Sequence, residues 1–212
     1  MKNKIPPASV ERLPLYLNCL GDINEGKSRV SSQKLAELAK VNPAQVRRDL
    51  SHLGTLGKRG VGYDISTLKN QLEIELGVVK GWSVIIVGIG NLGSALAKYD
   101  GFKEKGFGIV GLYDVDPKKI SSQVAGLIIK STEKIEEDCK KYKVAIGIIT
   151  TPAEFSQETA NLLIESGIKS ILNFAPFRLQ NIGNVNIRNV DLSQELQVLS
   201  YYLDSPPVEY SK

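Results

Sequence analysis

The sequence predicts an α/β chain in two parts: a small helical module finished by a β-hairpin, then a larger doubly wound parallel sheet with one more helix after it. Three observations carry this reading. The excess positive charge is confined to the first third of the chain; that third holds two helices joined by a tight, well-punctuated turn; and beyond it a β-branched run leads straight into a GxGxxG loop and a helix. The 212 residues are 42% hydrophobic and 24% charged, an ordinary globular composition with length for one large domain or two small ones. Collagen-like and disordered classes are excluded.

The first helix is expected over Arg12 to Leu20, where Leu13, Leu17 and Leu20 follow the i, i+4, i+7 spacing and Pro14 sets the start. Ser31 or Ser32 then caps a second helix, Gln33 to Lys40. After the tight Val41-Asn42 connection, Asn42 is the N-cap of a third helix, Pro43 its first residue and Gln45 the glutamine of a capping box. Val46, Leu50 and Leu53 face inward, which leaves Ala44, Arg47, Arg48 and Ser51 outward. Gly54 ends that helix, and Gly57 to Tyr63, with three glycines around Lys58 and Arg59, reads as a hairpin wing.

Charge follows the same division. Met1 to Gly77 holds 12 Lys+Arg against 8 Asp+Glu, whereas Val78 to Lys212 holds 15 against 15. Within Lys27 to Tyr63 the balance sharpens to 8 against 2, the footprint of a nucleic-acid-binding module. Together these elements make a winged helix-turn-helix over residues 1–77, whose third helix enters a major groove. Ser32, Pro43, Ala44, Gln45, Arg47, Arg48 and Ser51 are the candidate contacts on the motif, and Lys58, Arg59 and Tyr63 those on the wing. For Gln45 the capping role and a DNA contact stand equally.

Residues 78–190 read as a Rossmann domain. Ser83 to Val87 is a buried parallel strand, Gly88-Ile89-Gly90-Asn91-Leu92-Gly93 follows it, and Ser94 to Ala97 opens a helix. A second strand, Gly108 to Tyr113, ends at Asp114, 21 residues past Gly93, the position of the acid that accepts hydrogen bonds from an adenosine ribose. Gly88 permits the turn, Gly90 lets a pyrophosphate approach, and Gly93 lets helix pack on strand. Asp114 repels a 2′-phosphate, and Val115, Asp116 and Pro117 bring no arginine, so NAD(H) is expected over NADP(H). Further strands at Val144 to Ile149 and Ser170 to Phe174, flanking a helix Pro152 to Ser166, bring Thr150, Thr151 and Pro152, and Asn173, Phe174, Ala175 and Pro176, to the strand ends where ligands lie.

A dehydrogenase of the usual kind is disfavoured. The single histidine, His52, falls on the basic helix, and only a short strand near Asn186 to Val190 and a helix Ser193 to Asp204 remain after the sheet, too little for a substrate domain. The dinucleotide is therefore read as an effector and the chain as a non-enzyme. An NAD-dependent oxidoreductase and a nonspecific nucleic-acid adaptor remain the alternatives. No apolar run approaches the roughly 18 residues of a membrane span, and Met1 to Ala8 carries no apolar targeting core. Cys19 and Cys139, 120 positions apart, offer no disulfide framework and no metal-ligand spacing. A cytoplasmic protein without metal is expected.

The residues Val30-Ser31-Ser32-Gln33-Lys34-Leu35-Ala36, Pro43 to Ser51, Gly57 to Tyr63, Gly88 to Ala95, Gly167 to Pro176 and Asn189 to Leu192 resemble, in order and spacing, the redox-sensing transcriptional repressors called Rex. The resemblance implies a homodimer that binds a palindromic double-stranded operator when NADH is scarce and releases it when NADH binds. It implies that residues 191–212 form a domain-swapped C-terminal helix and tail, which suits the stripe Leu192, Leu196, Leu199 and Leu203. It further implies Tyr99 beside the nicotinamide and Arg12 with Asp191 as an interdomain switch. Two positions depart from the family pattern: Leu192 stands where an aromatic is usual, and His52-Leu53 where an aromatic pair is usual.

Overall fold

The computed structural model describes residues 5–23, 28–58, 60–180 and 183–203. It divides into two compact units, Met1–Lys80 and Gly81–Lys212. The division falls just after the composition boundary because a single 3-10 turn, Val78–Lys80, packs on the end of the preceding helix.

Unit 1 runs α1 (Pro7–Gly21), β1 (Arg29–Val30), α2 (Ser32–Ala39), α3 (Pro43–Ser51), β2 (Gly57–Lys58), β3 (Gly62–Asp64) and α4 (Ile65–Leu76). The first helix starts a turn earlier than Arg12, and Pro14 lies inside it. Pro7 takes the N1 position that suits proline. Pro14 is tolerated because it and Val10, whose carbonyl it deprives of a donor, are both exposed, so water can serve that carbonyl. Ser31 caps α2 by accepting from Lys34 N at 3.0 Å, and Asn42 caps α3 by accepting from Ala44 N at 2.8 Å. Leu13, Tyr16, Leu35, Val46, Leu50 and Leu68 are buried together. The wing is a three-stranded antiparallel sheet ordered β1-β3-β2.

Unit 2 runs β4 (Trp82–Val87), α5 (Asn91–Ala97), α6 (Gly101–Glu104), β5 (Phe107–Asp114), β6 (Gln123–Val124), β7 (Leu127–Ser131), α7 (Ile135–Tyr142), β8 (Ile146–Ile149), α8 (Ala153–Glu165), β9 (Ser170–Asn173), β10 (Asn186–Asn189) and α9 (Leu192–Leu203). The sheet order is β10-β9-β8-β4-β5-β7-β6, parallel throughout except for the β6–β7 hairpin. Along β4, Ile85 and Val87 enter one core and Val84 and Ile86 the other, so both faces of the sheet are covered. After β5 and β7 on one side of β4, the chain crosses to β8 on the other; that reversal opens a crevice at the carboxyl ends of the strands. The β6–β7 hairpin was not foreseen from sequence. Its two turn residues, Ala125 and Gly126, both have positive φ, and alanine is an uncommon occupant of such a turn. No described side chain of α9 is buried, and Asp204, the expected end of this helix, lies outside the described residues.

Candidate nucleotide cleft and nucleic-acid interface

In unit 1 the packing of Val46 and Leu50 turns Ala44, Arg47, Arg48 and Ser51 of α3 to solvent. A groove of about 960 Å³ runs beside α3, bordered by Ser32, Pro43, Arg47, Ser51, Lys58 and Tyr63. Ala44, Gln45 and Arg48 do not line it. Arg47 Nη1 donates to Ser32 Oγ at 3.2 Å, and Ser51 Oγ donates to the Arg48 carbonyl at 2.7 Å. The Tyr63 ring lies where a Cβ on Gly57 would stand, so this glycine is needed to seat the tyrosine; burial pushes the Tyr63 hydroxyl up against the lowering influence of Arg47. Lys58 is exposed. Arg59 lies outside the described residues.

The capping box expected at Gln45 does not form. Its amide Nε2 instead donates to Asp49 Oδ1 at 2.8 Å. Asp49 is fully buried and also accepts from Ser9 Oγ at 2.7 Å, Tyr16 OH at 2.7 Å, and Arg12 Nε and Nη2 at 2.6 and 2.8 Å. Burial pushes the Asp49 carboxyl up, but these donors outweigh it and hold the group well below the usual carboxylate range. Sequence reasoning missed Asp49. Its signal was position, since Val46, Asp49, Leu50 and Leu53 form the i, i+3, i+4, i+7 inward face, and an acid there must have partners.

In unit 2 a cleft of about 900 Å³ opens at the strand reversal. Of the expected residues it is lined by Gly88, Gly90, Asp114, Val115, Thr150, Thr151, Pro152, Phe174 and Pro176. Gly88 has φ +94°, and a Cβ there would stand 2.8 Å from Thr151 N. A Cβ on Gly93 would run into the Gly88 carbonyl oxygen and lie 2.9 Å from Thr150 Oγ1. Gly90 differs: its φ is −86° and a Cβ would meet nothing within 4 Å. The fold does not require that glycine; the open cleft in front of it is where a phosphate backbone would come close. The first turn of α5 has no side-chain cap, and Asn91 and Leu92 are exposed on it with Ser94 half-buried.

Asp114 ends β5 almost buried and accepts from Ile89 N at 2.7 Å, Asp116 N at 2.9 Å and Lys119 Nζ at 3.0 Å. Burial raises its pKa, but these donors together lower it below the ordinary value. Lys119, not singled out from sequence, supplies a cation at the Asp114 end of the cleft, but its ammonium is held by Asp114. Thr150 spends its hydroxyl on the Gly88 and Val87 carbonyls, at 2.6 and 3.1 Å, and so shapes the loop. Thr151 Oγ1 is buried with no partner, an unsatisfied group beside the cleft. Asn173 is buried and cross-braces its loop, Nδ2 to the Phe177 carbonyl at 2.9 Å and to Asn189 Oδ1 at 3.0 Å, while its Oδ1 accepts from the buried Ala175 N at 3.0 Å. Phe155, Glu158, Leu162 and Glu165 of α8 also line the cleft; their i, i+3, i+7, i+10 spacing was legible only once α8 was known to flank the crevice. The open glycine, the ribose-type carboxylate and the orphaned hydroxyl together fit an adenine dinucleotide.

Tyr99 does not line this cleft. It is 58% exposed, packs edge-on against Phe102 at 5.2 Å and borders a separate depression of about 570 Å³. Asp191 caps α9, accepting from Ser193 N at 2.9 Å and Ser193 Oγ at 2.6 Å. Among the described residues no group of three or more His, Cys, Asp or Glu side chains is placed to hold a metal ion, and no described helix is long and apolar enough to cross a membrane.

A basic winged helix-turn-helix followed by a Rossmann unit with a dinucleotide-type cleft defines a class: transcription regulators that read a nucleotide. The family comparisons give the same two parts, a putative DNA-binding N-terminus over residues 4–51 and a CoA binding domain over residues 79–177. The chain is 47% identical over 199 residues to the redox-sensing transcriptional repressor Rex of Streptomyces coelicolor, covering 93% of this chain and 77% of that protein. It is 44% identical to the same-named protein of Desulfitobacterium hafniense, covering 93% and 95%. The solved Rex-family repressor RSP matches with a TM-score of 0.87 at 35% identity over 95% of each chain, and it has also been solved with NADH and with NAD⁺ and operator DNA. The chain belongs to the Rex family of redox-sensing transcriptional repressors.

Proposed function

We propose that this chain is a repressor that senses the NADH/NAD⁺ ratio, holding operator DNA when NADH is low and leaving it when NADH binds. The observation that carries the reading is that the likeness to repressors, including one solved with NAD⁺ and operator DNA, spans both units and not one alone. The dinucleotide contributes a nicotinamide whose charge and planarity differ between its oxidised and reduced forms. Asp114 binds the adenosine ribose, and the same carboxylate disfavours a phosphate on either ribose hydroxyl, which supports NAD(H) over both NADP(H) and CoA. Phe174, Pro176 and Phe155 give the cleft an apolar wall, which disfavours the cationic ring of NAD⁺.

The effector role, and not turnover, is supported by the lining itself. Among the described residues its titratable side chains are Asp114, Asp116, Lys119, Glu158 and Glu165, with no histidine, tyrosine or cysteine to serve a carbonyl substrate, and Lys119 is paired with Asp114. The DNA contacts fall to Ser32, Pro43, Ala44, Arg47, Arg48, Ser51, Lys58 and Tyr63, and Arg59, outside the described residues, is a further candidate by sequence. The partner is a second copy, through α9. An interdomain switch would draw on Arg12, which is bound to Asp49, and on Asp191, which caps α9. A DNA regulator acts where the chromosome is, which places the protein in the cytoplasm.

Binding and release obey linkage: if NADH weakens operator binding, operator weakens NADH binding by the same factor, and about 3 kcal/mol of coupling changes affinity about 150-fold. The test is titration of a promoter fragment from the source genome, at fixed salt, with NADH and separately with NAD⁺. Release by micromolar NADH and retention in equal NAD⁺ are expected. Selective DNA binding indifferent to both nucleotides would overturn redox sensing. Binding that is steeply salt-dependent but without sequence preference would favour the nonspecific adaptor.

A further inference from the structure

Gln45 sits early in α3, where helix-turn-helix proteins read bases, and an amide is the side chain suited to an adenine edge. The nitrogen of its amide is nevertheless engaged: Nε2 donates at 2.8 Å to Asp49, a fully buried carboxylate that also ties α3 to Ser9, Arg12 and Tyr16 of α1. We propose that Asp49 is a positioning residue for operator selectivity: it draws Gln45 back from the DNA-facing side of α3, so that base edges meet Ala44, Arg47, Arg48 and Ser51 and not the glutamine. The inference rests on the DNA-binding reading above.

A hydrogen bond to a charged group in a dry site is worth on the order of 10- to 100-fold in an equilibrium, so Gln45 reaches a base only by giving up an interaction comparable to the one it would gain. The Asp49 carboxylate also stays ionised, because Arg12 makes a two-pronged contact with both of its oxygens. Ala44, Arg47, Arg48 and Ser51 are exposed while Gln45 is half-buried, the ordering expected if the glutamine belongs to the helix–helix seam.

Wild-type protein selects a preferred duplex from a pool randomised over two helical turns, and its affinity is then measured for that duplex and for each single-pair substitution. In Gln45→Ala the pattern of preference is expected to stay within about threefold of wild type at every pair, well inside the usual cost of a lost base contact. In Asp49→Ala the freed glutamine is expected to change preference about 5- to 150-fold at one symmetry-related pair, and the Gln45→Ala/Asp49→Ala double variant returns to the wild-type pattern. A change of that size in Gln45→Ala alone would show that Gln45 reads a base and would overturn the proposal, as would a double variant as altered as Asp49→Ala. If Asp49→Ala does not fold, Gln45→Ala alone decides. A wild-type chain that enriches no duplex overturns the DNA-binding reading itself.

Discussion

The three glycines of the nucleotide loop do different work, and their surroundings separate them. Gly88 and Gly93 are required by the protein, the first by a left-handed backbone and the second by the carbonyl its Cβ would strike. Gly90 is required by neither. Gly90→Ala is therefore expected to leave stability within about 1 kcal/mol of wild type while lowering NADH affinity by tenfold or more. Gly93→Ala is expected to cost about 1–3 kcal/mol of stability through overpacking. Thermal melting and calorimetric NADH titration of both variants check the contrast, and equal stability losses would remove the ligand-based account of Gly90. Asp114 illustrates a residue legible from position alone, since an acid ending the second strand after GxGxxG has one common use. Its third partner, Lys119, was not legible, because a loop of five residues folds back only when the turn at Asp116 and Pro117 is built.

At the scale of elements, the α1–α3 lock makes the stability of unit 1 depend on pH at both ends. Asp49 has a native pKa held below its unfolded value of about 3.9, so its contribution is complete above that value and is lost as pH falls toward the native one. Tyr16 behaves oppositely: burial first, then Asp49, raises its native pKa, so its contribution is complete below about pH 10 and lost as pH rises above it. The acid limb is expected to carry about 2–3 kcal/mol, read as a fall of several degrees in melting temperature of the full chain between about pH 5 and pH 2. In Asp49→Ala that part of the acid slope disappears; an unchanged slope would remove Asp49 from the account. The elements themselves were largely readable. Capped, periodic helices such as α2 and α3 stood out because caps and apolar spacing act within a few residues. The start of α1 and the β6–β7 hairpin did not, because Pro14 is acceptable only where its neighbouring carbonyl faces water and Ala125 only where the adjoining strands hold its turn.

For the whole molecule the informative feature is α9. Leu192, Leu196, Leu199 and Leu203 are 62%, 65%, 60% and 84% exposed, and a lone helix of this length with so apolar a stripe is marginal in water. A second copy of the chain is the cover proposed above, and it would supply the paired recognition helices that a two-fold-symmetric operator needs. Leu196→Glu with Leu199→Glu is expected to convert dimer to monomer in sedimentation and to lower operator affinity at least 100-fold, with NADH-cleft residues untouched. A double variant that stays dimeric would place the interface elsewhere.

By itself the sequence determined the order of most elements (though not the β6–β7 hairpin), the division between a basic helical unit and a neutral parallel-sheet unit, and the glycine and aspartate positions of the nucleotide loop. These follow from interactions among near neighbours: caps, periodicity, turn conformations and local charge. Only the tertiary structure decided which of those residues remain free to meet a ligand. It spent Gln45 on Asp49, Thr150 on the Gly88 carbonyl and Asn173 on its own loop, moved Tyr99 out of the cleft and brought α8 into it. The reason is that a buried polar atom must find a partner wherever the fold places one, and residues forty positions apart, as Ser9 and Asp49 are, meet only when the chain has closed on itself.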